Sequence, residues 1–428
     1  MITKSFVLRR ESYSSIVSQC TPGTIAVIRP EKALETLFRN LIYKVVEKKQ
    51  SAYKEIKEVS AYFDAVTDNP QYLQKKQEFI TYVEEYLNSA AGYRVNIEHI
   101  EDYVLAQSAF LCAQSVAIDI NVEAIDGREL VVCHQEGVAP VFDWNATRGE
   151  IEHKCQGKNL MVISGGYACT PQGIVVSVGK GGANMMASLI AASVMAERIE
   201  FYVEGEGIHG IESMTYDEAA HYCAVSNAPF PSAALWPAKN ATIPIVVKSI
   251  QHPDFKGTTI SATTKSGKES VSGIIADSDL ILVTVYGTGL LGQVGASSII
   301  FSSLAKAGVN IRFIAQTSSE YSISFAVREK YGEKVSEVLK QLFNNNPLIS
   351  IDDVMIINQK VGIITVYGSR MKNVPGISGA VFSLLGKEGI NVIASAQGGE
   401  ELSISVVLDV NDLNKAKESL TVLQRDAY

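Results

Sequence analysis

Residues 281–327 read ILVTVYGTGLLGQVGASSIIFSSLAKAGVNIRFIAQTSSEYSISFAV, and residues 362–408 read GIITVYGSRMKNVPGISGAVFSLLGKEGINVIASAQGGEELSISVVL. The two stretches align without a gap at an offset of 81, and 18 of the 47 aligned positions are identical. Tyr286/Tyr367, Gly287/Gly368, Asn310/Asn391 and Gln316/Gln397 are among them. Two copies are too few for a solenoid, so the repeat predicts a pair of small domains packed on each other. In the first copy the pattern gives Leu282–Tyr286, Gly295–Ala307, Asn310–Ala315 and Tyr321–Val327 as strand, helix, strand, strand. A helix at Lys334–Leu342 and a strand at Asp353–Ile357 follow. That is βαββαβ, the ferredoxin-like order. Pro375 stands where the helix of the second copy begins, a position suited to proline. Gly308 and Gly389 close the two helices where a left-handed cap favours glycine.

Upstream, strands and helices alternate over the first 260 or so residues, which predicts an α/β domain with a parallel or mixed sheet. Ser5–Arg9 and Gly23–Ile28 read as strands, and Pro30 as the first residue of a helix reaching about Lys49. Residues 51–100 read as two or three amphipathic helices with a solvated charged face. Glu101–Val116 reads as a helix, and Ala117–Val122 and Leu130–Val132 as strands. Asn159–Ser164 and Gly173–Val178 read as two strands joined by the turn at Thr170–Gly173. An alanine-rich helix at Met185–Met195, a strand at Arg198–Val203, a helix at Tyr216–Tyr222 and a strand at Ile243–Val247 follow. The polar run around TTKSGKES reads as a linker.

With 428 residues the chain can bury two or three cores. A net charge of −8 with no Lys/Arg cluster argues against nucleic acid as a partner. No apolar run reaches the length of a membrane span or a signal-peptide core, which predicts a cytoplasmic protein. The six cysteines are scattered and the six histidines do not pair at ligand spacing, so neither disulfides nor a metal site is expected.

Three features carry chemistry. Gly179-Lys180-Gly181-Gly182-Ala183-Asn184 is a glycine-rich turn between a strand and a helix. Such a turn lets backbone N–H groups approach a phosphate, with Lys180 as a point charge, but it equally serves close helix–sheet packing. Glu204 and Glu206, separated by one glycine at a strand end, suit Mg²⁺ or a phosphate-bound metal, or form a solvated acidic turn. Gln316 and Gln397 end equivalent strands, with Asn310 and Asn391 before them. A repeated amide can recognise a small polar ligand, or both copies share one turn chemistry.

The repeat resembles the tandem ACT domains of aspartokinases, carried by NIRFIAQTSSEYSISFAV and NVIASAQGGEELSISVV. It is most similar to the threonine-regulated aspartokinase part of bifunctional aspartokinase–homoserine dehydrogenases. VYGTGLLGQVGASSIIFSSLA and IVVKSIQHPDFKGTTIS fit that kind too. The chain ends at Tyr428, so no homoserine dehydrogenase part is expected. Residues 160–208 are similar to the amino-acid-kinase core, with its G-R-G-G-S-D turn and W-T-D-V-D-G-V strand end. The resemblance implies an amino-acid-kinase-like α/β sandwich at 1–262, a linker at 263–278, and ferredoxin-like ACT domains at 279–358 and 359–428. It also implies ATP- and Mg²⁺-dependent phosphoryl transfer to aspartate, a chemistry of positioning and charge neutralisation.

Departures fall where that chemistry belongs. The family's K-F-G-G-T-S becomes Leu8-Arg9-Arg10-Glu11-Ser12-Tyr13, leaving Arg9 or Arg10 as the cation. Lys180, Ala183 and Asn184 replace the arginine, serine and aspartate of the glycine turn. Leu105 takes the place of a substrate-side glutamate, and Glu204 and Glu206 stand in the altered strand end. His209 replaces a tyrosine, the D-P-R before Tyr216 has no counterpart, and Asn227 replaces a lysine. Two readings follow. In the first, the kinase site is degenerate, a pseudoenzyme, and the ACT pair binds threonine or lysine at Asn310, Gln316, Asn391 and Gln397. That protein forms a homodimer through its ACT domains, or joins an active aspartokinase. In the second, the chain is an active, feedback-regulated aspartate kinase, with Lys180 and Arg9 catalytic and Gly179, Gly181, Gly182, Glu204 and Glu206 at the nucleotide.

Overall fold

The computed structural model describes residues 1–9, 11–93, 95–136, 139–179, 181–203, 208, 211–225, 228–251, 256–263, 270–286, 295–316, 322–345 and 355–424. It divides into two compact units, one of Met1–Tyr216 with Ala228–Lys265, the other of Asp217–Asn227 with Ser266–Tyr428.

The first unit opens with β1 (Ile2–Leu8), α1 (Tyr13–Gln19), β2 (Thr24–Pro30) and α2 (Lys32–Ile42). The long helices α3 (Tyr53–Asp64), α4 (Pro70–Ala90) and α5 (Ile97–Asp119) follow. Then come β3 (Ala124–Ile125), β4 (Cys133–Glu136), β5 (Ala139–Phe142), α6 (Trp144–Cys155) and β6 (Leu160–Ser164). The unit continues with β7 (Tyr167–Cys169), β8 (Val175–Ser177), α7 (Gly182–Ser193), β9 (Arg198–Val203) and β10 (Ser213–Thr215). After α8 (Tyr216–Val225), all but the first residue of which belongs to the second unit, the first unit resumes with α9 (Leu235–Asn240), β11 (Ile245–Ser249) and β12 (Thr258–Ser261).

Side-chain caps start three of these helices. Asn69 accepts from the Gln71 N–H at α4, Asn96 from Glu98 at α5, and Asp143 from Ala146 at α6. Pro70 occupies the first turn of α4.

The main sheet runs β10-β12-β11-β9-β1-β2-β6-β3. From β11 to β3 the neighbours are parallel, and only β11–β12 is antiparallel. β1 and β2 are buried along nearly their whole length, as strands covered on both faces should be. On one face Phe6, Leu8, Ala26 and Ile28 pack with Phe38, Phe63, Tyr72 and Cys112 from the helices α2 to α5. On the other face α7 lies against β1, where the Ser5 hydroxyl donates to Asn184 Oδ1 at 2.6 Å. The only two tryptophans in the sequence, Trp144 and Trp236, meet edge to face with centroids 5.7 Å apart.

Several local expectations change. Ala117–Val122 is not a strand, because α5 continues to Asp119 through a buried run of small residues. Pro30 ends β2 instead of starting a helix; it pairs in register with Leu8, and α2 begins after Glu31. The turn at Thr170–Gly173 joins β7 to β8, so β6 lies in the main sheet and not in that hairpin.

The second unit contains β13 (Gly273–Tyr286), α10 (Ala296–Lys306), β14 (Ile311–Gln316), β15 (Ser322–Arg328) and α11 (Gly332–Asn345). It ends with β16 (Met355–Tyr367), α12 (Ile377–Lys387), β17 (Ala394–Gln397), β18 (Ser403–Asp409) and α13 (Leu413–Leu420). Its antiparallel sheet runs β14-β15-β13-β16-β18-β17. The repeat is visible in the core at its offset of 81: Val283, Ile300, Leu304 and Phe325 in one cluster match Ile364, Val381, Leu385 and Val406 in the other. Polar contacts repeat as well. Thr284 meets Ser324 at 3.0 Å, and Thr365 meets Ser405 at 2.9 Å.

The linker expected at 263–278 is shorter than its sequence suggested. Gly273–Asp277 forms the first half of β13 and pairs with Ile363–Tyr367 of β16, while Leu280–Tyr286 pairs with Met355–Val361. A register shift after Asp277 separates the halves. The second ACT copy therefore takes its fourth strand from residues that precede the first copy. The apolar GII of residues 273–275 made this legible in principle, but the adjoining polar run masked it.

Helix α8 belongs, from Asp217 onward, to this second unit. Its buried Glu218 carboxylate accepts from the Ser272 hydroxyl at 2.5 Å and the Ser369 N–H at 2.8 Å. A charge in the helix that follows β10 thus anchors the start of β13 and the end of β16.

Candidate functional site

Parallel strands bring their carboxyl ends to one edge of the sheet, where α/β folds of this kind hold ligands. Here that edge carries Leu8, Pro30, Ser164, Val203 and Ser249. Two glycine pairs build it. Gly165 and Gly166 follow β6, and a Cβ on Gly165 would lie 2.8 Å from the Ala183 Cβ. Gly181 has φ +74°, and a Cβ there would sit 2.3 Å from Pro231 Cδ. A Cβ on Gly182 would meet Val178 at 2.8 Å. Gly179 has φ +87° and nothing nearby to obstruct a side chain, so its backbone conformation alone calls for glycine. Gly181 and Gly182 therefore serve close packing directly, and the turn delivers Asn184 to Ser5 beneath it.

Ser164 closes β6 with a polar cluster that the sequence reading did not single out. Its hydroxyl accepts from the Gly127 N–H at 2.9 Å and donates to Asp126 Oδ1 at 3.4 Å. Asp126 also takes the Arg128 guanidinium through both carboxylate oxygens, and Arg128 lies over the Tyr103 ring at 5.9 Å. The available signal was Asp126 two residues before Arg128, next to the apolar run Leu130–Cys133.

The expected catalytic positions are differently placed. Leu8 is fully buried in the helical-face core, and so is Leu105 in α5. Arg9 forms an ion pair with Glu31 at 3.3 Å, so its charge is matched within the protein. Lys180, Glu204 and Glu206 lie outside the described residues, as do Arg10, His209 and Asn227. Among the described residues no group of three or more His, Cys, Asp or Glu could hold a metal ion. Within the turn the Gly179 N–H donates to Ser177 Oγ and the Gly182 N–H to the Gly179 carbonyl, so the described residues keep the glycines of a phosphate turn but supply no uncommitted cation at β1.

The four repeat amides are all exposed. Gln316 and Gln397 end the outermost strands β14 and β17, and Asn310 and Asn391 stand just before those strands. Gln397 Oε1 accepts from the Ser378 hydroxyl at the start of α12, at 3.1 Å.

Comparison with known proteins agrees with this architecture. Residues 47–249 match the amino acid kinase family, and residues 283–343 and 364–422 each match the ACT domain. Over 334 residues the chain is 28% identical to the bifunctional aspartokinase/homoserine dehydrogenase of Haemophilus influenzae, covering 75% of this chain and 38% of that protein. The chain is an aspartokinase-family protein.

Aspartokinase 2 of Bacillus subtilis is 26% identical over 275 residues, 61% of this aspartokinase-family chain and 65% of the relative. The chain spans about 38% of the length of the bifunctional relatives. Two solved structures share its fold. Clostridium acetobutylicum aspartate kinase has a TM-score of 0.79 at 19% identity, covering 99% of this chain and 100% of its own. Escherichia coli aspartokinase III, solved with lysine and aspartate, has a TM-score of 0.81 at 15% identity, covering 99% of each. Among the described residues of the aspartokinase-family chain, no helix is long and apolar enough to cross a membrane.

Proposed function

We propose that this chain is an amino-acid-responsive aspartokinase-family protein in which the kinase fold persists without effective phosphoryl transfer. One observation carries the reading: the place of the family's phosphate-facing lysine is Leu8, sealed in the core, and the neighbouring Arg9 is paired with Glu31. Removing one preorganised donor from a transition state costs about 3–4 kcal/mol. Substitution of several charged positions together leaves little rate. The ACT pair, with its matched hydroxyl contacts, binds threonine or lysine through Asn310, Gln316, Asn391 and Gln397. The lysine complex of the Escherichia coli relative supports an amino-acid effector. A homodimer through the ACT domains, or pairing with an active aspartokinase, is the matching assembly.

A second reading is an active aspartate kinase using ATP and Mg²⁺. The retained glycines 179, 181 and 182 and the preserved domain order support it. In that case Lys180 and Arg9 act on the phosphates, beside Gly179, Gly181, Gly182, Glu204 and Glu206. The two are separated by incubating purified protein with ATP, Mg²⁺ and aspartate and trapping acyl phosphate with hydroxylamine. Turnover abolished by Lys180→Ala refutes the first reading, and no heat of ATP binding refutes the second. Calorimetry with threonine and lysine tests the sensor. Gln316→Ala or Gln397→Ala should weaken binding, and no binding to the wild type at millimolar effector sinks it.

A further inference from the structure

A cavity of about 110 Å³ lies beneath α1, beside β1, β9 and β11. Phe6 and Ile16 form its apolar side, and Ser15, Gln19, Tyr202 and Lys248 its polar side. Next to it lies a charge cluster of unusual balance. The Glu200 carboxylate, almost fully buried, takes Arg198 at 2.8 Å, Lys248 at 3.1 Å and Lys4 at 3.9 Å. Three basic side chains share one acid. Even with Lys4 neutral, two cations face a single anion.

Gln19 is oriented by this cluster. Lys4 Nζ donates to one end of its carboxamide at 3.0 Å, and the Tyr202 hydroxyl, whose one proton is shared between Glu200 Oε2 at 3.0 Å and this same end at 3.2 Å, lies beside it. An ammonium only donates, so that end is the oxygen. The carboxamide nitrogen is then directed away from Lys4, and among the described residues no protein acceptor takes its N–H groups. Lys248 Nζ, which also has donors only, spends one contact on Glu200 and lines the cavity.

The geometry points to a binding site for a small oxyanion, held between Lys248 Nζ and Gln19 Nε2 with the Ser15 hydroxyl at its rim. Donors without acceptors and an excess of positive charge define the ligand's sign. The volume defines its size. Pockets for drug-sized ligands run to about 300–1,000 Å³, so this one takes orthophosphate or a short carboxylate but not a nucleotide. It is also distinct from the glycine turn. Successive residues of a strand face opposite sides. Lys4 and Phe6 look toward α1, whereas Ser5 looks toward Asn184 on α7.

The test is calorimetric titration of the full chain with inorganic phosphate, in chloride buffer, with acetate as a parallel arm. One site per chain is expected. Lys248→Met should weaken it by at least about tenfold, the worth of one charge-assisted hydrogen bond. Gln19→Glu is the sharper variant: it keeps an acceptor toward Lys4 and so keeps the local fold, but replaces the free donor by a second acceptor. It should abolish binding. Acetate binding that phosphate displaces assigns the site to oxyanions generally, and phosphate alone assigns it to tetrahedral ones. No phosphate or acetate binding by the wild type, or unchanged binding in both variants, overturns the proposal.

Discussion

Replacing Glu200 by alanine removes the single acid that holds three bases in the first unit. Lys4 is the one that cannot escape, since its side chain is only 9% exposed. Without Glu200 it keeps Gln19 as an acceptor but lies beside Arg198 and Lys248 with no counter-charge. Breaking one partner of a buried pair costs about 3–5 kcal/mol. In a unit of about 250 residues each kcal/mol lowers the melting temperature by about 2–4 °C, so Glu200→Ala should lower it by roughly 6–20 °C. The double variant Lys4→Met/Glu200→Ala removes both buried charges and lets the more exposed Arg198 and Lys248 return to water. It should be more stable than Glu200→Ala alone, with a coupling of at least about 1 kcal/mol. Scanning calorimetry of wild type, both single variants and the double variant measures this. A cost below about 1 kcal/mol for Glu200→Ala, or strict additivity, refutes the reasoning.

The same cluster sets a pH response. Burial pushes the Glu200 carboxyl up, but Lys248, Arg198 and Lys4 outweigh burial and hold it below its ordinary value of 4.5. Its contribution is therefore complete above pH 4.5 and is lost as pH falls through the lower folded value. Lys4 moves the other way in effect: burial lowers its pKa from 10.5, because one acid at 3.9 Å does not offset desolvation and two like charges. Its charged form costs stability at neutral pH, and that cost fades as pH rises toward 10.5. Glu200→Gln should flatten the acid limb of the melting-temperature profile below pH 4.5 relative to wild type.

The seam between β1 and α7 offers a matched pair of variants. Thr3 Oγ1 is buried without a hydrogen-bond partner among the described residues, so Thr3→Val should be neutral or stabilising by up to about 1 kcal/mol, whereas Ser5→Ala strips Asn184 Oδ1 of its donor and should cost about 1–3 kcal/mol in urea unfolding. Gly181→Ala combines a left-handed backbone with a 2.3 Å approach to Pro231 Cδ and should cost more than about 1 kcal/mol; an unchanged melting temperature would mean that the turn relaxes freely.

Much of this was legible in the sequence where period and composition act locally. RIEFYV at Arg198–Val203 is β-prone and ends at an acidic, glycine-rich run, and β9 has those bounds. The repeat gave both ACT helices and their glycine caps, Gly308 and Gly389, at φ +69° and +70°. What escaped was long-range. The fourth strand of the second ACT copy comes from Gly273–Asp277, a pairing partner no local pattern reveals. Glu218 lies in the helix read at Tyr216–Tyr222, where nothing local shows that it accepts hydrogen bonds from residues 54 and 151 positions away. Glu200 lies inside the strand read at Arg198–Val203 and Lys4 one residue before the strand read at Ser5–Arg9, but each charge shows its partner only once β1, which starts at Ile2, and β9 are in register. In the candidate kinase site the sequence named the substituted positions. It did not show that Arg9 meets Glu31, or that Asp126, Arg128 and Ser164 converge.

The pairing of Trp144 with Trp236 has a practical meaning for following this protein in solution. Both indoles belong to the first unit, and the second unit has no tryptophan. Tryptophan emission is therefore a private channel of the kinase fold, blind to events confined to the ACT pair. If threonine or lysine alters that emission, the message has crossed from one unit to the other. If binding is seen by calorimetry while emission stays still, it has not.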